Sequence, residues 1–140
     1  SERSQEEWAT DTLFLRDDDL SFALGKDGST RRKLAKASGC ILEYVGSVAH
    51  IAGTLEERDR CQTYISWLLQ QRVGAVYIEP EDEERDDITI VPLPDTSSVI
   101  GVFKGTPLRQ IEYETGTFCF IEGDLRERGG QRVVIAGLSE

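Results

Sequence analysis

The chain has 140 residues, 39% of them apolar, which is enough for one ordinary domain or two minimal ones with cores of their own. Its 26 acidic side chains against 16 basic ones give a net charge of −10, which would repel a polyanion at long range and leaves only local patches to attract one. No apolar run approaches the length of a membrane span or signal core, so no membrane partner is expected; three cysteines set in apolar patterns are expected as buried thiols in a reducing intracellular compartment, cytoplasm or nucleus.

In chain order, Leu13 to Leu15 is a short apolar run that reads as a strand, and Leu20 to Leu24 reads as a short helix. Gly25-Lys26-Asp27-Gly28 breaks it, after which Ser29 or Thr30 can cap a helix running to about Ala37. Gly39 ends that helix, because a C-terminal cap commonly needs positive φ. Ile41 to Val45 and Val48 to Ala52, separated by Gly46-Ser47, fit a hairpin. Thr54 with Glu57 forms a capping box before the strongest helix, on which Cys61, Tyr64, Ile65, Leu68 and Arg72 share one face.

An acidic stretch follows. Between Ala75 and Asp87 there are seven acidic side chains against one basic, whereas 10–74 holds nine of each. Like charges should keep this stretch extended and Pro80 should discourage helix, so it reads as a spacer, or as a strap that mimics a phosphate backbone across the basic edge upstream.

Beyond it, a much-altered copy of the first half returns. Gly28 and Gly105, Arg32 and Arg109, Leu34 and Ile111, and Gly39 and Gly116 correspond at one constant offset. Ile51-Ala52-Gly53 returns as Ile135-Ala136-Gly137 at a larger offset, as a longer loop would require. Such an internal repeat outranks any single motif.

The order strand, helix, helix, strand, strand, helix around a G-x-x-G loop resembles the KH domain in its eukaryotic, type I arrangement. In the second copy Val91-Pro92, Ile100-Gly101, Leu108-Arg109-Gln110-Ile111 and Glu114-Thr115-Gly116 match the family's pattern. The resemblance implies an α+β chain of two βααββα modules, each a three-stranded antiparallel sheet packed on helices. The first would cover 10–74, an acidic connector 75–87, and a degenerate second module 88–140, lacking its last helix and expected to be cut from a longer chain. Two departures stand out. The second loop, Gly101-Val102-Phe103-Lys104-Gly105, is one residue longer than the family's, and Arg31 stands where the family usually has an isoleucine facing the groove or core.

The first loop carries the chemistry. Two glycines around a two-residue turn let the backbone approach a sugar-phosphate chain, and exposed N–H groups at a helix start favour an anion. Locally Lys26, Arg31, Arg32, Lys33 and Lys36 stand against Asp27 alone, and screening over about 8 Å makes local charge decisive. By resemblance, Ala23, Leu24, Leu42 and Tyr44 would receive roughly four unstacked bases opposite Gly25, Lys26, Asp27, Gly28, Arg31, Arg32 and Lys36. Gly101, Phe103, Lys104, Gly105 and Arg109 form a secondary candidate site in the second copy, where Phe103 could stack a base.

Plainer readings compete. The glycines fit a tight interhelix turn, and the basic cluster fits a solvated helix face. A nucleotide-hydrolase phosphate loop is excluded, since its upstream glycine would fall on Leu20. One histidine, His50, and scattered thiols offer neither a metal site nor a catalytic dyad, and Asp17-Asp18-Asp19 reads as solvated loop charge. No enzyme activity, cofactor or metal is expected. The expected partner is single-stranded RNA, or DNA, bound mainly by the first module; the alternative is a protein-interaction scaffold whose KH folds have lost nucleic-acid binding.

Overall fold

Alternating side chains set the two faces of the first sheet in the computed structural model, which describes residues 7–93, 107–124 and 130–138. The molecule is mixed α+β, with two three-stranded antiparallel sheets packed on helices, and its two compact units meet in sequence at Leu69 and Gln70.

The first unit runs β1 (Ala9–Phe14), α1 (Asp17–Leu24), a 3-10 turn (Lys26–Gly28), α2 (Ser29–Ser38), β2 (Ile41–Val45), β3 (Val48–Gly53) and α3 (Leu55–Gln70). This is the element order that the resemblance implies. The sheet order is β1-β3-β2, so β2 is an edge strand. Register pairs Leu42 with Ile51 and sets both Leu13 and Tyr44 opposite Ala49, which places these residues on one face. Leu42, Ala49 and Ile51 are buried there, and Ala23, Leu34, Cys61, Tyr64 and Ile65 from the helices complete the core. The other face carries Phe14, Ile41 and Val45 in the open, with His50 between Thr12 and Glu43.

Helix ends show where local chemistry decides. α1 begins at Asp17 rather than Leu20, because three acidic side chains in its first turn suit the positive end of the helix dipole. Those carboxylates are therefore helical, not loop charge. Neither Ser29 nor Thr30 caps α2: the 3-10 turn feeds straight into it, Ser29 already has helical φ −63 and ψ −40, and Gly28 holds the cap position. Gly39 closes α2 in the left-handed conformation at φ 81, as expected.

The capping box forms as read, with Thr54 N donating to Glu57 Oε1 at 2.9 Å and Glu57 N to Thr54 Oγ1 at 3.2 Å. The buried face of α3 is wider than the spacing predicts. It adds Trp67, stacked on Tyr64 at 6.0 Å, and Arg60, whose Nε donates to the Ser38 carbonyl at 2.9 Å. Arg72 lies past the end of the helix and off that face.

The second unit holds α4 (Pro80–Glu83), β4 (Ile88–Pro92), α5 (Leu108–Thr115), β5 (Phe118–Glu122) and β6 (Arg132–Ala136). Its sheet order, β4-β6-β5, again puts the last strand in the middle. Gly116 ends α5 at φ 68 in the left-handed region. The acidic stretch is not an extended spacer. Pro80 sits in the first turn of α4, where its missing N–H costs nothing, and the carboxylates find cations. Arg85 pairs with Asp82 and the buried Asp87, and Arg132 with Glu83 and the buried Glu122. Arg132 thereby holds the Glu83 carboxyl below its ordinary range. All three cysteines are free thiols and buried.

Candidate nucleic-acid interface

Two hydrogen bonds tie the helices on either side of the glycine turn to β2, an edge strand among the described residues. Tyr44 Oη donates to the Ala23 carbonyl at 3.0 Å, tying the end of α1 to that strand. Arg31 Nη1 donates to the Leu42 carbonyl at 2.9 Å and reaches Glu43 Oε1 at 3.4 Å, tying the start of α2 to it. The turn between the two helices is therefore flanked by tethers to β2 on both sides, from Ala23 at the end of α1 and from Arg31 in α2. Burial pushes the Tyr44 phenol well above its ordinary range, so it stays a donor.

The turn is built on conformations that only particular residues accept. Gly25 has φ 75 and ψ 172, a region essentially restricted to glycine, and a Cβ there would stand 2.7 Å from the Thr30 backbone nitrogen. Asp27 is left-handed at φ 55 and ψ 29, which aspartate tolerates better than most residues. Arg32 Nη1 donates to the Asp27 carbonyl at 2.6 Å, so this cation stiffens the turn rather than reaching outward. Lys26 and Lys36 are exposed and make no side-chain hydrogen bond or ion pair among the described residues. Lys26 and Lys36 are thus available to an anion, while Arg32 Nη1 is committed to the turn and one nitrogen of Arg31 to β2.

Not every expected contact is open. The Ala23 and Leu42 side chains are 0% and 1% exposed and belong to the core, so they cannot touch a base directly. Leu24 is exposed and Tyr44 half-buried at the cleft edge. The Leu42 carbonyl, an edge acceptor, is already occupied by Arg31, so a guanidinium fills part of the cleft.

In the second unit, Gly101, Phe103, Lys104 and Gly105 lie outside the described residues. Arg109 is exposed and pairs with Glu112 Oε1 at 2.8 Å. Glu112 is buried, and its other oxygen accepts from Cys119 N at 2.7 Å. Each unit thus ties the helix before its edge strand to that strand, the first with the Arg31 guanidinium on the Leu42 carbonyl, the second with the Glu112 carboxylate on Cys119 N. Farther along β5, Val76 forms a parallel bridge with Glu122, and Gly123 N donates to the Val76 carbonyl at 2.8 Å. The edge of β5 is therefore partly covered, and the buried Glu112 and Glu122 carboxylates beside it are each paired with an arginine. Sequence reading missed Glu112; the one hint was its spacing three residues after Arg109.

Among the described residues no group of three His, Cys, Asp or Glu side chains is placed to hold a metal ion, and no helix is long and apolar enough to cross a membrane. No family model matches the chain, and no curated protein matches it. Similar solved structures include Dim2p from Pyrococcus horikoshii OT3, at 12% identity over 92% of this chain and 81% of that one, with a TM-score of 0.42. Another is the a/eIF2alpha–aDim2p–rRNA complex from the same organism, at 14% identity over 93% of this chain and 77% of that one, with a TM-score of 0.40.

Proposed function

We propose that the first unit is a KH-type module that binds single-stranded nucleic acid, RNA before DNA, and that 88–140 is a second, diverged copy following an acidic stretch over 75–87. One observation carries the reading: the exposed Gly25-Lys26-Asp27-Gly28 turn, with Lys26 uncommitted, stands beside the free edge of β2. Backbone at the turn approaches the sugar-phosphate chain, and Lys26 and Lys36 add mobile positive charge. Bases then lie against Leu24 and Tyr44, with Ala23 and Leu42 supporting that surface from the core. The second unit is the weaker binder, because its corresponding edge is partly covered and lined by the Glu112 carboxylate.

Phosphate contacts to two or three nucleotides give a log-log salt slope near −2 for a single strand. The test is a titration of short single-stranded RNA into the chain and into its Lys26→Asp variant. Loss of binding with unchanged circular dichroism supports the module; equal binding removes it.

A second reading, a protein-interaction scaffold, draws on the open face of the first sheet, where Phe14 is 80% exposed and Val45 65% exposed. Under it Phe14→Glu, and not Lys26→Asp, would alter the protein's associations.

A further inference from the structure

Arg31 is an unusual occupant of its site, and its geometry says what it recognises. Its Nη1 is anchored on the Leu42 carbonyl at 2.9 Å, and its side chain is 24% exposed. A Cβ built on Gly28 would stand 3.9 Å from its Nε, so the guanidinium spans the cleft from the glycine turn to the edge of β2. The Nε and Nη2 donors have no hydrogen-bond partner among the described residues. The ion-pair partner of Arg31 among the described residues, Glu43 Oε1, is 3.4 Å from Nη1 on a side chain 63% exposed, a pair of small worth.

From this we infer that Arg31 makes the first unit prefer guanine to adenine or uracil at the position facing the β2 edge. The inference rests on the single-strand reading above. A guanidinium with one nitrogen pinned offers the Nε–Nη2 side as a fixed two-donor fork, and guanine presents two acceptors, O6 and N7, at matching spacing. Adenine presents a donor, the N6 amine, beside N7, so one arm of the fork meets another donor. Uracil's two acceptors, O4 and O2, are separated by the N3–H donor, so no adjacent pair meets the fork. Anchoring on the carbonyl also removes most of the rotamer entropy that a free arginine would lose on binding.

Four pentamers of single-stranded RNA test this, each a uridine run with one central guanosine, adenosine, inosine or 7-deazaguanosine, titrated into the wild-type chain, Arg31→Met and Lys26→Asp. The wild-type chain binds the guanosine pentamer about tenfold tighter than the adenosine one. Inosine, which keeps O6 and N7, binds like guanosine; 7-deazaguanosine, which lacks N7, falls toward adenosine. Arg31→Met erases the preference, and should it fail to fold, Arg31→Lys keeps the charge, loses the fork and does the same. Equal wild-type affinity for guanosine and adenosine pentamers, with Lys26→Asp weakening both, overturns the inference and leaves the module standing. Absence of binding to all four, or indifference to Lys26→Asp, overturns both.

Discussion

The two glycines of the exposed turn do different work, and alanine at each position separates them. Gly25 combines φ 75 with ψ 172, a conformation that costs an L-residue about 1–3 kcal/mol, and its Cβ would meet the Thr30 backbone nitrogen at 2.7 Å. That neighbour is backbone in the first turn of α2 and cannot swing aside, so Gly25→Ala should cost about 2–4 kcal/mol in all. Gly28 is left-handed at φ 76 and ψ 15, worth about 1–2 kcal/mol to an L-residue, and its Cβ would meet only the flexible Arg32 Nη1, at 3.2 Å. Urea unfolding of the chain and both variants, with amide exchange at Leu42 and Ile51 reporting on the first core, measures the difference. Gly25→Ala should lower the midpoint by at least twice as much as Gly28→Ala. Equal losses, or a Gly25→Ala loss below about 1 kcal/mol, would show that the turn relaxes freely and is not held in the geometry the cleft needs.

Glu57→Ala removes the carboxylate that accepts from Thr54 N, leaving the backbone N–H of residue 57 on Thr54 Oγ1, and should destabilise the first unit by about 1 kcal/mol, read as a lower Tm, whereas an exposed change such as Glu56→Ala should be near neutral. The Tyr44 phenol is held protonated by burial while the unfolded chain ionises near pH 10, so its contribution is complete below about pH 10 and is lost as pH rises. Tyr44→Phe should therefore flatten part of the alkaline fall in stability measured between about pH 10 and 12, and an unchanged slope would refute that assignment. Asp27→Asn keeps a residue that tolerates the left-handed region and removes a negative charge beside the phosphates, so RNA affinity should rise a few fold at low salt and converge with wild type at high salt.

Much of the first unit was legible because its signals are local. The Gly39 stop, the Gly46-Ser47 hairpin and the Thr54–Glu57 box each depend on residues within a few positions of one another, and each forms as read. The start of α2 was misread because a cap residue is chosen by the φ/ψ of the preceding turn, which Gly25 and Asp27 set. The acidic stretch was misread in part because one of its partners is remote: Arg85 pairs locally, but Arg132 lies far along the chain from Glu83, and no window over 79–87 contains it. The candidate site was legible by type and not by aim. Lys26 and Arg31 were both visible as cations near the glycines, yet only the fold shows that Lys26 is uncommitted while Arg31 crosses to Leu42. Leu42 and Ala23 look alike as candidate cleft residues in sequence, but strand register turns Leu42 inward and the packed face of α1 buries Ala23.

Residue-resolved NMR shifts during titration with a randomised pool of short single-stranded RNA test the central claim most directly. Shifts concentrated on Lys26, Asp27, Gly28, Arg31 and Tyr44, and absent in Lys26→Asp, are the predicted result. Shifts concentrated on Arg109, Glu112 and Cys119, or none in the first unit, would contradict it.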